Sequence, residues 1–254
     1  MRFFVFILLT VPTVFAKLQS RTVEYQQGDA VLEGYLAYDD KFKGARPGVM
    51  VVHEWNGIED YTRSRADQLA ALGYVAFAAD IYGKGMRPVS MEDAAKTSGK
   101  YKADPLLWHA RALAGLDTLK AQKNVDGGKI AAIGYCFGGS TVLELARAGA
   151  ALNGVVSFHG NFATKNPAKV GAVKTKILVL HGANDPFVKE DEYEDFVEEM
   201  IASKADWQMV SYGNAVHKFS NPHAGNEPTK GFAYDRSADQ RSWEAMKTFF
   251  KEVL

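Results

Sequence analysis

The chain alternates short, uninterrupted apolar runs with longer segments in which apolar residues recur every three or four positions. The runs are Gly48 to Val52, Val75 to Ala79, Ile130 to Ile133, Val155 to Phe158 and Ile177 to Leu180, each ending at small or polar residues. Continuous hydrophobicity is what a strand buried on both faces of a parallel sheet requires. Two extended arms, Arg21 to Gln27 and Ala30 to Tyr38, flank Gly28-Asp29 and predict a hairpin, and a further strand is expected from Trp207 to Tyr212. Helices are expected between these strands. One runs from Thr62 to Leu72, with Gly73 just past its C-cap. A second starts at Asp104, with Pro105 in its first turn, and a third covers Ser140 to Arg147. The last is expected to be capped by Ser237, with Gln240 at capping-box spacing, and to lay Trp243, Met246, Phe250 and Val253 on the sheet. Strands alternating with helices imply right-handed crossovers and a mostly parallel, doubly wound α/β sheet with helices on both faces. In such a sheet, ligands and chemistry belong at the carboxyl ends of the strands.

The first residues break this pattern. Arg2, the apolar stretch Phe3 to Val11 and the small-x-small sequence Val14-Phe15-Ala16 have the three parts of a cleavable signal peptide, and the apolar run is too short to span a bilayer. The expected organisation is a leader at residues 1–16 and one domain at 17–254, secreted or periplasmic, with no stable membrane span. No repeat or linker-like tract divides the remainder. Thirty Lys plus Arg balance thirty Asp plus Glu without a basic cluster, so no nucleic-acid partner is expected. A single cysteine, Cys136, excludes an internal disulfide and any site built from several thiolates. The chain is expected to act as a monomer on a small-molecule substrate.

The strand-end rule then selects the candidate chemistry. After Ile130 to Ile133 comes Gly134-Tyr135-Cys136-Phe137-Gly138-Gly139, a G-x-nucleophile-x-G turn with cysteine in the nucleophile's place. A thiol needs a base, and the base needs a group to orient it. Asp185 follows the strand at 177 to 180, and His217 lies in the loop after the strand at 207 to 212. The order Cys136, Asp185, His217 is nucleophile, acid, base as this fold arranges them. Of the six histidines, His53, His159 and His181 fall at strand ends and are expected to be packed, hydrogen-bonded neighbours of the site, while His109 lies in a helix and His223 in a polar loop. His53-Glu54 lacks the second histidine of a zinc helix, and Gly83-Lys84-Gly85 matches neither phosphate-binding nor dinucleotide loops, so no metal and no cofactor is expected.

These residues resemble the dienelactone hydrolase family, within the α/β-hydrolase fold. The resemblance is carried by His53-Glu54-Trp55-Asn56-Gly57, Asp80-Ile81-Tyr82, the cysteine turn at 134 to 139, Gly182 to Pro186 and His217-Lys218-Phe219, and covers nearly all of residues 30 to 254. It implies a Cys136–His217–Asp185 triad. It also implies that Glu54 is an extra carboxylate contacting the thiol at rest, and that the backbone N–H groups of Trp55 and Phe137 form an oxyanion hole. Family members acting on dienelactone hold its carboxylate with arginines. Near the corresponding loops this chain offers Tyr82, Lys84 and Arg87, and Asn221 after Ser220, and lysine supplies charge without a bidentate fork. Gly83 to Ala103 and Ser220 to Asp235 are long and polar enough to be rims or lids. The expected function is hydrolysis of a lactone or activated carboxylic ester through a cysteine acyl-enzyme. The alternatives are a carboxylesterase or peptidase of the same fold, or a secreted binding protein with a redox thiol.

Overall fold

The computed structural model describes residues 17–254, and the expected leader at 1–16 lies outside the described residues. Eight strands form one sheet in the order β1-β2-β4-β3-β5-β6-β7-β8. β1 (Leu18–Gln27) and β2 (Ala30–Asp39) form the expected hairpin, turning at Gly28, whose φ is 57°. Its second strand, β2, pairs antiparallel with β4 (Val75–Ala79). From there β3 (Arg46–Val52), β5 (Val125–Tyr135), β6 (Gly154–Phe158), β7 (Lys176–Gly182) and β8 (Trp207–Tyr212) are all parallel.

Both faces of β3, β4, β6 and β7 and of the carboxyl half of β5 are buried, as their continuous apolar runs require, whereas the edge strand β8 is half-exposed. On β3, Met50 and Val52 join a core packed by α3 (Pro105–Lys120), α4 (Phe137–Arg147) and α5 (Glu190–Ser203), whereas Val49 and Val51 join a core packed by α1 (Asp60–Ala71) and α6 (Arg236–Val253). Asp104 caps α3 as expected, accepting from Leu107 N–H at 3.1 Å. Two expectations need correction. The stretch after Gly83, expected only as a polar rim or lid, contains a helix that was not expected, α2 (Met91–Ala103), capped by Ser90, whose hydroxyl accepts from Asp93 N–H at 3.1 Å. The cap of α6 is Asp235, which accepts from Ala238 N–H at 2.9 Å, so Ser237 lies inside the helix. Asp235 takes this place because its own N–H is pinned to the Phe219 carbonyl at 2.9 Å, fixing where the chain enters the helix. Among the described residues, no helix is long and apolar enough to cross a membrane.

Candidate active site

The carboxyl ends of β3, β5, β6, β7 and β8 converge where the turn between β5 and α4 carries Cys136. This residue has φ 53° and ψ −114°, a conformation costly for any side chain. Two flanking glycines make the turn possible. A Cβ on Gly134 would stand 1.9 Å from the Gly138 carbonyl oxygen, and one on Gly138 would stand 2.2 Å from the Val52 carbonyl oxygen. Neither backbone can retreat, because each belongs to the packed sheet or to the helix it supports. The turn aims the N-terminus of α4, with its unpaired N–H groups and partial positive charge, at the sulfur.

The loop after β8 brings His217 to Cys136, and the turn after β7 brings Asp185 to His217. His217 and Cys136 line the same cavity, and the imidazole is the main group acting on the thiol. On its other side, His217 Nδ1 lies 2.7 Å from Asp185 Oδ2. All three residues are buried. Burial by itself pushes the Cys136 thiol up, but the facing His217, with a smaller contribution from Lys218, outweighs burial and the opposing Glu54 and brings it below its usual value. Burial likewise lowers His217, but the facing thiolate and the Asp185 hydrogen bond prevail and raise it to about 10. Both shifts favour a thiolate–imidazolium pair, the nucleophilic form of a cysteine.

Glu54, expected to contact the thiol at rest, has its partners on the His217 loop. Its Oε2 accepts from Asn221 Nδ2 at 2.8 Å and faces Lys218 Nζ at 3.2 Å. Its Oε1 is buried and has no hydrogen-bond partner among the described residues. Two groups on the His217 loop, one a donor and one a cation, therefore hold one oxygen of the carboxylate, while its charge opposes ionisation of the Cys136 thiol. Lys218 itself is raised above the ordinary lysine range, Glu54 and Cys136 outweighing its burial. Sequence reading missed both partners, although Lys218 adjoins His217 and Asn221 follows shortly after.

The backbone N–H groups of Trp55 and Phe137 flank the same space. Among the described residues, neither donates a hydrogen bond. A cavity of about 380 Å³ opens onto Cys136 and His217. Its walls are mainly apolar: Trp55, Phe137, Phe187 and Phe232 face the α2 residues Met91, Ala95 and Gly99, with Lys102 and Lys218 as cations. Tyr82, Lys84 and Arg87 do not line it. Lys84 is exposed and paired with Glu24, Arg87 donates to the Met86 carbonyl at 2.8 Å, and the buried Tyr82 hydroxyl donates to the Trp55 carbonyl at 2.9 Å. Tyr82 thus supports the backbone beside the cavity without facing it.

The strand-end histidines are buried neighbours of the site, as expected. His53 Nε2 accepts from Ile81 N–H at 3.2 Å, and burial lowers its pKa to about 4, with Asp80 opposing. His159 bonds both Cys136 N–H and Ser220. His181 departs in one respect: it packs against Phe162, but its Nδ1 has no partner among the described residues.

Comparison with known proteins agrees with this architecture. The dienelactone hydrolase family matches residues 32–254. A crystal structure of a dienelactone hydrolase-like promiscuous phosphotriesterase from metagenomic libraries shares 41% identity, covering 93% of this chain and 98% of that one, with a TM-score of 0.87. "Protein usf" of Aquifex pyrophilus is 28% identical over 244 residues, 91% of this chain and 98% of its own. A protein of Aquifex aeolicus provisionally named carboxymethylenebutenolidase is 26% identical over 237 residues, with the same coverage of 91% and 98%. The chain belongs to the dienelactone hydrolase family and is a hydrolase built on the α/β-hydrolase fold.

Proposed function

We propose that the protein hydrolyses lactones or activated carboxylic esters through a thioester on Cys136. The observation that carries this reading is the buried cluster of Cys136, at a strained turn, with His217 and its hydrogen-bonded partner Asp185, opening into an apolar cavity. The Cys136 thiolate attacks the ester carbonyl, and the oxygen takes up the electron pair facing the N–H groups of Trp55 and Phe137. Each such donor is worth about 3 kcal/mol in comparable sites. Collapse of this intermediate expels the alkoxide or enolate, which takes a proton from His217. Water, deprotonated by His217, then attacks the thioester. The acid departs and the thiolate–imidazolium pair returns. Asp185 holds the imidazole in the orientation that both steps need.

A thiolate is itself a good leaving group, so it returns from poorly activated substrates. Enol lactones and aryl esters are therefore favoured over amides, which places peptidase action behind esterase action. The walls of the cavity favour an apolar or flat substrate body, with no arginine fork for a substrate carboxylate. The signal-peptide-like sequence at residues 1–16 supports placing the reaction in the periplasm or the exterior, with a mature chain beginning at Lys17. To test the reaction, turnover of aryl acetates and enol lactones is compared between the parent and Cys136→Ala. Loss of nearly all turnover in the variant is the expected outcome. Equal turnover would refute the cysteine mechanism and leave a binding or redox role for the thiol.

A further inference from the structure

His159 follows β6 directly, beside the Cys136 turn, and is buried. Its φ is 40°, a left-handed backbone uncommon outside glycine. The ring spans two loops. Nδ1 accepts from Cys136 N–H at 3.1 Å, sharing that proton with the Phe158 carbonyl at 3.0 Å. Nε2 lies 2.8 Å from Ser220 Oγ. A backbone N–H can only donate, so Nδ1 is unprotonated and Nε2 carries the ring proton, which it donates to Ser220.

Ser220 belongs to the same loop as His217 and is itself held by two further groups. Tyr61 Oη lies 2.7 Å from its hydroxyl, Arg65 Nη2 donates to its carbonyl at 2.7 Å, and Arg65 is anchored in turn by Asp239 of α6. One imidazole therefore links the turn of the nucleophile to the loop of the base, outside the residues that line the cavity. The groups facing His159 are His217, whose ring centroid is 5.3 Å away, Lys218, Arg65 and Tyr135, with Phe219 against its ring. Burial first, then the positive charges of His217 and Lys218, hold it far below the usual imidazole range. Nδ1 therefore stays free to accept.

We infer that His159 is a positioning residue, setting Cys136 against His217 by gripping the Cys136 amide with Nδ1 and, through Ser220, the His217 loop with Nε2. The inference rests on the reading of Cys136 as a nucleophile activated by His217. Its test reads thiol chemistry and not ester turnover, so the two can fail separately.

Alkylation of the single cysteine by iodoacetamide is followed against pH in the parent, His159→Ala, His159→Asn and Ser220→Ala. His159→Ala should alkylate about tenfold or more slowly near neutral pH, since small misplacements at reacting groups cost one to two orders of magnitude. Its acid limb should move toward the free-thiol value of about 8.5. His159→Asn should recover much of the rate, because its Oδ1 can replace Nδ1 and asparagine tolerates positive φ. Ser220→Ala should shift in the same direction by less. Profiles of His159→Ala and Ser220→Ala that overlie the parent, with only a lower Tm, would assign His159 to packing and overturn the inference. Should His159→Ala not fold, a parent-like profile for Ser220→Ala would overturn it alone.

Discussion

A thiol as enclosed as Cys136 titrates high unless a cation faces it, because burial disfavours the charged form. Here that cation is His217, and each group shifts the other toward ionisation. Cys136→Ala therefore removes the charge that does most to raise His217. The imidazole should then titrate well below the parent's value of about 10, as its NMR chemical shifts would report; an unchanged value would mean that Asp185 alone sets it. The linkage follows in sign. Because the folded value of His217 lies above the unfolded one near 6.5, its stabilisation is complete below pH 6.5 and is lost as pH rises through about 10. The thiol is depressed, so its contribution is present above its unfolded value and is lost as pH falls through the folded one. Asp185→Asn keeps the shape but not the charge behind His217, and should lower kcat by about two to four orders of magnitude. A decrease of less than threefold would remove Asp185 from the proposal.

At the scale of elements, what the sequence made legible followed from burial. β3 to β7 announce themselves because both faces are covered, leaving no polar alternation to blur the runs. The sequence of α2 was opaque because only Ala94, Ser98 and Tyr101 of its thirteen residues are buried, so no apolar stripe marks it. Ser90 and Asp93 were its one readable signal. Cys136, Asp185 and His217 were legible because each follows a recognisable strand. The partners of Glu54 were not, since Lys218 and Asn221 meet it only through the folding of one loop. The position of the α6 cap was set by a similar tertiary bond. Asp235→Ala should cost about 1 kcal/mol of stability, as lost caps do, and Ser237→Ala clearly less. Thermal or urea denaturation with the reverse order would restore Ser237 as the cap. The small α2 residues facing the cavity give a second expectation: Gly99→Leu, with nothing within 4 Å of a Cβ there, should raise KM for bulky acyl groups while sparing acetyl esters.

Across the whole molecule, the sheet gathers the reacting groups at one edge and leaves stability to structures elsewhere. Arg147 at the end of α4 pairs with Glu144 at 2.8 Å and Glu199 at 2.7 Å, all three nearly enclosed. Arg147→Met would strand two buried carboxylates and should cost about 3–5 kcal/mol. Thiol alkylation per folded molecule should be unchanged, and a parallel loss of both would show the two regions to be coupled. The central claim is the covalent intermediate, and intact-mass spectrometry of a rapidly acidified reaction with an aryl acetate tests it most directly. One acetyl group on the peptide containing Cys136, formed at a rate matching turnover and absent in Cys136→Ala, is the predicted result. Steady turnover with no acyl group on Cys136 at any quench time, or the acyl group on another residue, would contradict it.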